Sequence, residues 1–350
     1  MKAHFKKHIL QFKSPSGTSR GILTTKETWF LVLEEDGRYG IGECGLLKGL
    51  SCDDVDGYED KLRWVCQNIQ FGEQELLLRS LEFPSIQFGI EQAFLSLKSG
   101  NPFLLFPSDF TTKEAPISIN GLIWMGDKQF MFNQIKEKIE AGFSCIKMKI
   151  GAINFDAEIE LLSYIRKHFS KKDIELRVDA NGAFDSSHAL EKLKRLAALD
   201  IHSIEQPIKQ KQWEAMAELC SKTPLPIALD EELIGVFDVK KKQRLLETIQ
   251  PQYIILKPSL VGGYLASEEW IQLAKTMKIG WWVTSALESN IGLNAIAQWT
   301  FNLNNPMPQG LGTGGLYTNN FNCPLVVEDG KLYYRNSLYW KADLIQELCT

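Results

Sequence analysis

Cys145-Ile146-Lys147-Met148-Lys149, Glu175-Leu176-Arg177-Val178-Asp179, Ser203-Ile204-Glu205-Gln206-Pro207, Ile227-Ala228-Leu229-Asp230-Glu231 and Tyr253-Ile254-Ile255-Leu256-Lys257-Pro258 are short β-rich runs, each closing on ionisable residues. About 25–30 residues separate Lys149, Asp179, Glu205, Asp230 and Lys257, the length of one strand plus its returning helix. The intervening segments carry the helical period: Met131, Ile135 and Ile139 share one face, as do Leu190, Leu193 and Leu196, and Trp213, Met216 and Cys220. Extended outward, the pattern predicts strands beginning near Ile117, Cys145, Glu175, His202, Pro226, Tyr253, Trp281 and Pro308. Strands alternating with helices make a parallel sheet, and eight such units close into a (β/α)8 barrel whose functional residues stand at the carboxyl ends of the strands.

Upstream the texture differs. Trp29 to Leu33 and Tyr39 to Ile41 are apolar runs around Asp36-Gly37, a pair suited to the positive-φ turn of a hairpin. Helical faces follow, with Leu62, Val65, Cys66 and Ile69 on one, and Ile90, Ala93, Phe94 and Leu97 on another that ends at Gly100. Residues 1–105 therefore read as an α+β unit, and residues 106–316 as the barrel.

The chain has 350 residues, 44% hydrophobic and 23% charged, ordinary values for a folded globular protein. A net charge of −4 supplies no basic field for a phosphate backbone, so nucleic acid is excluded as a partner and a small molecule is favoured. The seven cysteines show no Cys-x-x-Cys spacing and read as reduced packing residues, neither a disulfide framework nor a zinc site. No apolar run reaches spanning length and the basic start leads into polar sequence, so the expected place is the cytoplasm, with no membrane partner. The exposed helices of a barrel leave a homo-oligomer open.

Asp179, Glu205 and Asp230, aimed into one cavity from neighbouring strands, would repel one another unless a divalent cation lay between them. Oxygen-only donors select a hard ion, so Mg²⁺ is the expected cofactor, with Mn²⁺ able to replace it. Lys149 and Lys257 on either side can remove a carbon-bound proton and stabilise the resulting charge. A lone Lys-x-Lys is ordinarily surface charge, but the ordered set would be costly to bury for structure alone.

Lys147-x-Lys149, Asp179-x-Asn181, Glu205-Gln206-Pro207, Asp230-Glu231 and Lys257-Pro258, in this order, resemble the muconate-lactonising subgroup of the enolase superfamily over nearly the whole chain. The resemblance implies a modified TIM barrel, a capping unit formed by residues 1–105 together with 317–350, and an enediolate intermediate. Ser285 to Gly292 and Gly310 to Leu316 further resemble the branch whose members dehydrate 2-succinyl-6-hydroxy-2,4-cyclohexadiene-1-carboxylate to o-succinylbenzoate, a hydro-lyase step of menaquinone biosynthesis. In that branch Lys149 would be the base and Lys257 the electrostatic stabiliser. Dipeptide epimerases of the subgroup usually carry Asp-x-Asp after the eighth strand, where this chain has Gly312-Thr313-Gly314. Glu232 departs from the pattern, because relatives often have serine after the Asp-Glu pair.

Lys147, Ser285, Ser289, Gly312, Thr313, Gly314 and Arg20 are the candidate contacts to an anionic substrate, with Asn181 and Glu231 supporting the metal ligands. Other readings stand beside these. Gly312 to Gly315 equally suit a tight turn or a phosphate loop, Asn181 a turn cap, and Arg20 a solvated loop position. The same metal and lysines would serve an N-acylamino-acid racemase or dipeptide epimerase, and a catalytically silent barrel binding metal or anion is the rival of another class.

Overall fold

The computed structural model describes residues 1–18 and 21–349, and three sheets organise them. The first is antiparallel, in the order β1 (Lys2–Thr18), β2 (Gly21–Glu35), β3 (Arg38–Gly45). Asp36 and Gly37 both take positive φ, 51° and 75°, which is the turn that the hairpin reading requires. The helix Pro84–Ser99 lies directly on this sheet and ends on Gly100 at φ 76°. Contact is at backbone distance: a Cβ on Gly42 would stand 1.9 Å from the Gly89 carbonyl oxygen, so only glycine permits it.

The central sheet runs β11 (Gly280–Val283), β10 (Tyr253–Leu256), β9 (Ile227–Leu229), β8 (Ser203–Glu205), β7 (Glu175–Asp179), β6 (Cys145–Lys149), β5 (Gly121–Ile123), all parallel. Its strands are almost wholly buried, as expected when helices cover a parallel sheet from outside. Of the helix faces read from sequence, Met131, Ile135, Leu193, Leu196, Met216 and Cys220 are buried against it.

Closure is made at the eighth position by only two residues. Gln309 bridges Ile119 and Gly310 bridges Thr284, both parallel. Pro306 and Pro308 cannot donate to a ladder, so a full strand is not formed there. The Gln309 side chain substitutes for part of it, accepting from Val283 N at 2.7 Å. The segment near Ile117 likewise divides: β4 (Ile117–Ser118) pairs with β13 (Lys331–Tyr334), which pairs with β12 (Leu325–Glu328) to make the third sheet.

The last residues contact both halves. Leu344 and Leu348 pack with Phe30, Val32 and Ile41 of the antiparallel sheet, Tyr317 bridges Phe12, and β12–β13 attach to the barrel side through β4. Trp281, Trp282 and Trp299 are buried. The cysteines of the described residues are all free. No helix of the described residues is long and apolar enough to cross a membrane.

Candidate active site

Strand register brings the ionisable residues to one level. Lys149 pairs with Asp179, and Asp179 with Glu205, as Cα partners across β6, β7 and β8. Asp230 follows β9 and Lys257 follows β10 directly. Lys149 and Lys257 therefore stand at the second and sixth positions of an eight-position ring, on opposite sides of the cavity, with the carboxylates on the arc between them.

Lys147 Nζ lies 2.6 Å from Glu205 Oε2 and 3.3 Å from Asp179 Oδ2. Lys149 Nζ lies 2.9 Å from Asp179 Oδ2 and donates to Asn181 Oδ1 at 2.7 Å. Lys257 ion-pairs with Asp230 and stands 3.7 Å from Glu205 Oε1. Asn181, held at φ 44°, donates its amide to Glu231 Oε1 at 3.0 Å, so it links the Lys149 ammonium to the acid beside Asp230. Asparagine tolerates that left-handed backbone through its short polar side chain.

The electrostatics follow from charge crowding at low dielectric. Burial disfavours the Lys147 and Lys257 ammonium groups, but their carboxylate partners outweigh it and hold both above the ordinary lysine value. Burial would raise Asp179, yet Lys149, Lys147 and Lys257 hold it well below the usual carboxylate range. For Asp230 burial prevails: with Glu231 and Glu205 adding repulsion, its carboxyl is pushed up to about 8 despite Lys257.

Among the described residues no three acidic, thiol or imidazole groups stand in the geometry of a formed metal site. Ammonium groups lie among the carboxylates instead, so the unrelieved repulsion anticipated from sequence is absent in this arrangement. The donor set still fits a hard divalent cation. Its oxygens are carboxylate only, all buried, and Glu205 Oε1 receives no hydrogen bond.

Gln206 and Glu232 hold the loop that carries Asp230. Gln206 Oε1 accepts from Asp230 N at 3.2 Å and Glu232 N at 3.3 Å, while its amide donates to Glu232 Oε2 at 3.2 Å. Glu232 also accepts from Lys211 N at 2.7 Å. The residue that departs from the family pattern thus braces the backbone around Asp230.

The cavity above these groups is lined by Lys147, Lys149, Asp179, Asn181, Lys257, Ser285, Gly312 and Thr313 among the expected residues. Ser285 Oγ and Thr313 Oγ1 share a hydrogen bond of 2.6 Å. Glu205, Asp230 and Glu231 are buried and do not form its surface. Ser289 and Gly314 also lie off the lining: Ser289 caps the helix Asn290–Asn302, and the Gly314 carbonyl accepts from Asn320 at 2.9 Å. Arg20 falls outside the described residues. Sequence reading missed the apolar wall made by Ile22, Leu23, Leu47, Leu50, Leu122, Trp124 and Leu287, and Lys48 beside it. Leu47, Lys48, Leu50 and Leu287 lie outside strands and helices and carry no periodic signal, whereas Ile22 and Leu23 stand at the start of β2 and Leu122 and Trp124 in or beside β5.

Fold and site together define a class. The chain belongs to the enolase superfamily: the family described as Enolase C-terminal domain-like matches residues 131–336. Within it, the chain is 46% identical to the o-succinylbenzoate synthase of Desulfotalea psychrophila, over 95% of this chain and 98% of that protein. The solved structure of MenC from Desulfotalea psychrophila superposes with a TM-score of 0.85 at 43% identity, covering 95% of this chain and 99% of that one. The dipeptide epimerase from Enterococcus faecalis, solved with Mg and the dipeptide L-Leu-L-Tyr, shares the fold at a TM-score of 0.83 but only 20% identity, over 96% of each chain.

Proposed function

We propose that this chain catalyses the Mg²⁺-dependent dehydration of 2-succinyl-6-hydroxy-2,4-cyclohexadiene-1-carboxylate to o-succinylbenzoate, the carbon–oxygen lyase step of menaquinone biosynthesis. The observation that carries the reading is the pair Lys149 and Lys257 facing each other across one cavity, in a chain 46% identical to an o-succinylbenzoate synthase. The loop after the eighth strand position, Gly312-Thr313-Gly314, offers no carboxylate for a substrate ammonium, which weighs against a dipeptide substrate.

Lys149 acts as the base. It takes the proton from the ring carbon that bears the carboxylate and returns it to the hydroxyl leaving from the neighbouring carbon, so that one C–H and one C–O bond break, water departs and the ring becomes aromatic. Asn181 and Asp179 orient its amine toward the cavity. Lys257, on the opposite face, stabilises the anionic ring by its charge. Asp179, Glu205 and Asp230 would hold Mg²⁺, or Mn²⁺ on the same oxygen donors, and the bound cation would supply Lewis-acid stabilisation of charge developing on the substrate carboxylate. Lys147 screens Glu205 and Asp179 from each other, while Asn181 and Glu231 support the arrangement from behind. Residues 1–105 with 317–350 serve as the cap over a barrel of residues 106–316.

An ultraviolet assay with the cyclohexadiene substrate tests the reading, because aromatisation changes the absorbance. Turnover with Mg²⁺ is the expected result, and its absence, together with racemisation of an N-acylamino acid, would replace the reading.

A further inference from the structure

Four lysines line the cavity, and three of them are neutralised at its floor by the carboxylates described above. The fourth, Lys48, is exposed and ion-pairs with no described residue. Its loop is nonetheless ordered by its own hydrogen bonds. Leu47 N donates to Ser51 Oγ at 2.9 Å, Ser51 N returns to Leu47 O at 2.9 Å, and Gly49 N donates to Asp54 Oδ2 at 2.8 Å with Gly49 at φ 73°. Asp53 anchors the same loop on the helix Pro84–Ser99, accepting from Ser85 N at 2.9 Å and Ser85 Oγ at 2.6 Å. Lys48 is thus a cation set on a braced turn at the cavity.

Its neighbours narrow what it can meet. Leu47 and Leu50 flank it on the lining, and Ile22, Leu23 and Leu287 continue an apolar wall. Asp179 is the only acidic residue on the described lining, and its charge is already matched at the floor. An apolar wall beside an unmatched cation suits an aliphatic chain that ends in an anion. The loop after the eighth strand position, the alternative place for such an anion, presents Gly312 and Thr313 to the cavity but no charge.

We infer that Lys48 is a specificity-determining residue that binds the terminal carboxylate of the substrate's succinyl chain, while the ring carboxylate is held among the strand-end residues. The inference rests on the dehydration proposed above. A charge-assisted contact at a solvated position contributes mainly to binding and is weakened by salt.

The test compares wild type, Lys48→Met and Lys48→Arg, each with Mg²⁺. Lys48→Met keeps an apolar stem and removes the charge. It should raise KM for the cyclohexadiene substrate and Kd for o-succinylbenzoate by about tenfold, with kcat changed less than about threefold, and Lys48→Arg should recover most of the loss. Added sodium chloride should weaken o-succinylbenzoate binding more in the wild type than in Lys48→Met. An analogue of o-succinylbenzoate whose chain ends in a carboxamide should bind wild type and Lys48→Met alike. Equal binding of o-succinylbenzoate by wild type and Lys48→Met would overturn the inference, and so would an equal loss for the carboxamide, which would assign Lys48 to loop shape alone. Wild-type turnover tests the reaction and product binding tests Lys48, so failure of one is told apart from failure of the other.

Discussion

Glu43, on β3 of the antiparallel sheet, accepts hydrogen bonds from Ser289 N at 2.9 Å and Ser289 Oγ at 2.5 Å. The same carboxylate accepts from Gly292 N at 2.8 Å and Thr28 Oγ1 at 2.8 Å, and it is fully buried. An acid of the N-terminal sheet thereby caps the helix Asn290–Asn302, where its charge meets the positive end of the helix dipole. The loop so fastened carries Thr284, Ser285, Ala286 and Leu287 onto the cavity.

Glu43→Ala should therefore lower stability by about 3 kcal/mol, the scale of removing one member of a buried charged network. Glu43→Gln, which keeps one acceptor oxygen, should lose less. Denaturant unfolding measures both, and an unchanged midpoint for Glu43→Ala would show that Ser289 and Gly292 find other partners at no cost.

Exhaustive chelation should abolish turnover, and Mg²⁺ or Mn²⁺ should restore it, since Asp179, Glu205 and Asp230 offer only oxygen donors. Asp230→Asn should weaken Mg²⁺ binding in calorimetric titration while the protein stays folded, because Lys257 keeps Glu205 as a partner at 3.7 Å. Unchanged Mg²⁺ affinity would remove Asp230 from the ligand set.

The two cavity lysines should respond differently to arginine, which keeps positive charge but does not serve as a base at neutral pH. Lys149→Arg should be about as inactive as Lys149→Ala, with loss of a general base costing roughly 10²–10⁴-fold. Lys257→Arg should retain measurably more activity than Lys257→Ala. A racemase would lose activity in both arginine variants. Mg²⁺ affinity and o-succinylbenzoate binding, measured first, separate a misfitting guanidinium from a chemical defect. Near wild-type dehydration by Lys149→Arg would refute its role as base.

Asp53 gives stability a pH dependence. Burial pushes its carboxyl up to about 6 from 3.8, against the hydrogen bonds from Ser85. The folded chain then holds a proton that the unfolded chain releases, so this contribution is full below about pH 4 and is lost as pH rises to about 6. The loss amounts to at most about 3 kcal/mol. Asp53→Asn should accordingly gain on the wild type in unfolding free energy between pH 4 and pH 7. A constant difference between the two proteins across that range would contradict the assignment.

Legibility differed from residue to residue for physical reasons. The hairpin at Asp36-Gly37 was readable because its turn demands positive φ, and the barrel helices because burial imposes a 3.6-residue period. The strand near Pro308 was misjudged in extent, since a side chain, Gln309, took over hydrogen bonding that sequence patterns assign to backbone. Ser289, read from sequence as a substrate contact, bonds instead to Glu43, 246 positions away, and lies off the cavity lining. Glu232 looked like a disturbance of Asp230 and is a brace for its loop.

By itself, the sequence determined the order of strands and helices and the ionisable residue at each strand end, because period, turn chemistry and the parallel-barrel rule are properties of local pattern. Only the tertiary structure decided which ammonium group sits on which carboxylate, how Asn181 joins Lys149 to Glu231, and that Lys48 comes to the same cavity as Lys257. Those relationships depend on side-chain reach and on loop closure between segments far apart in the chain, where no local preference selects one partner over another.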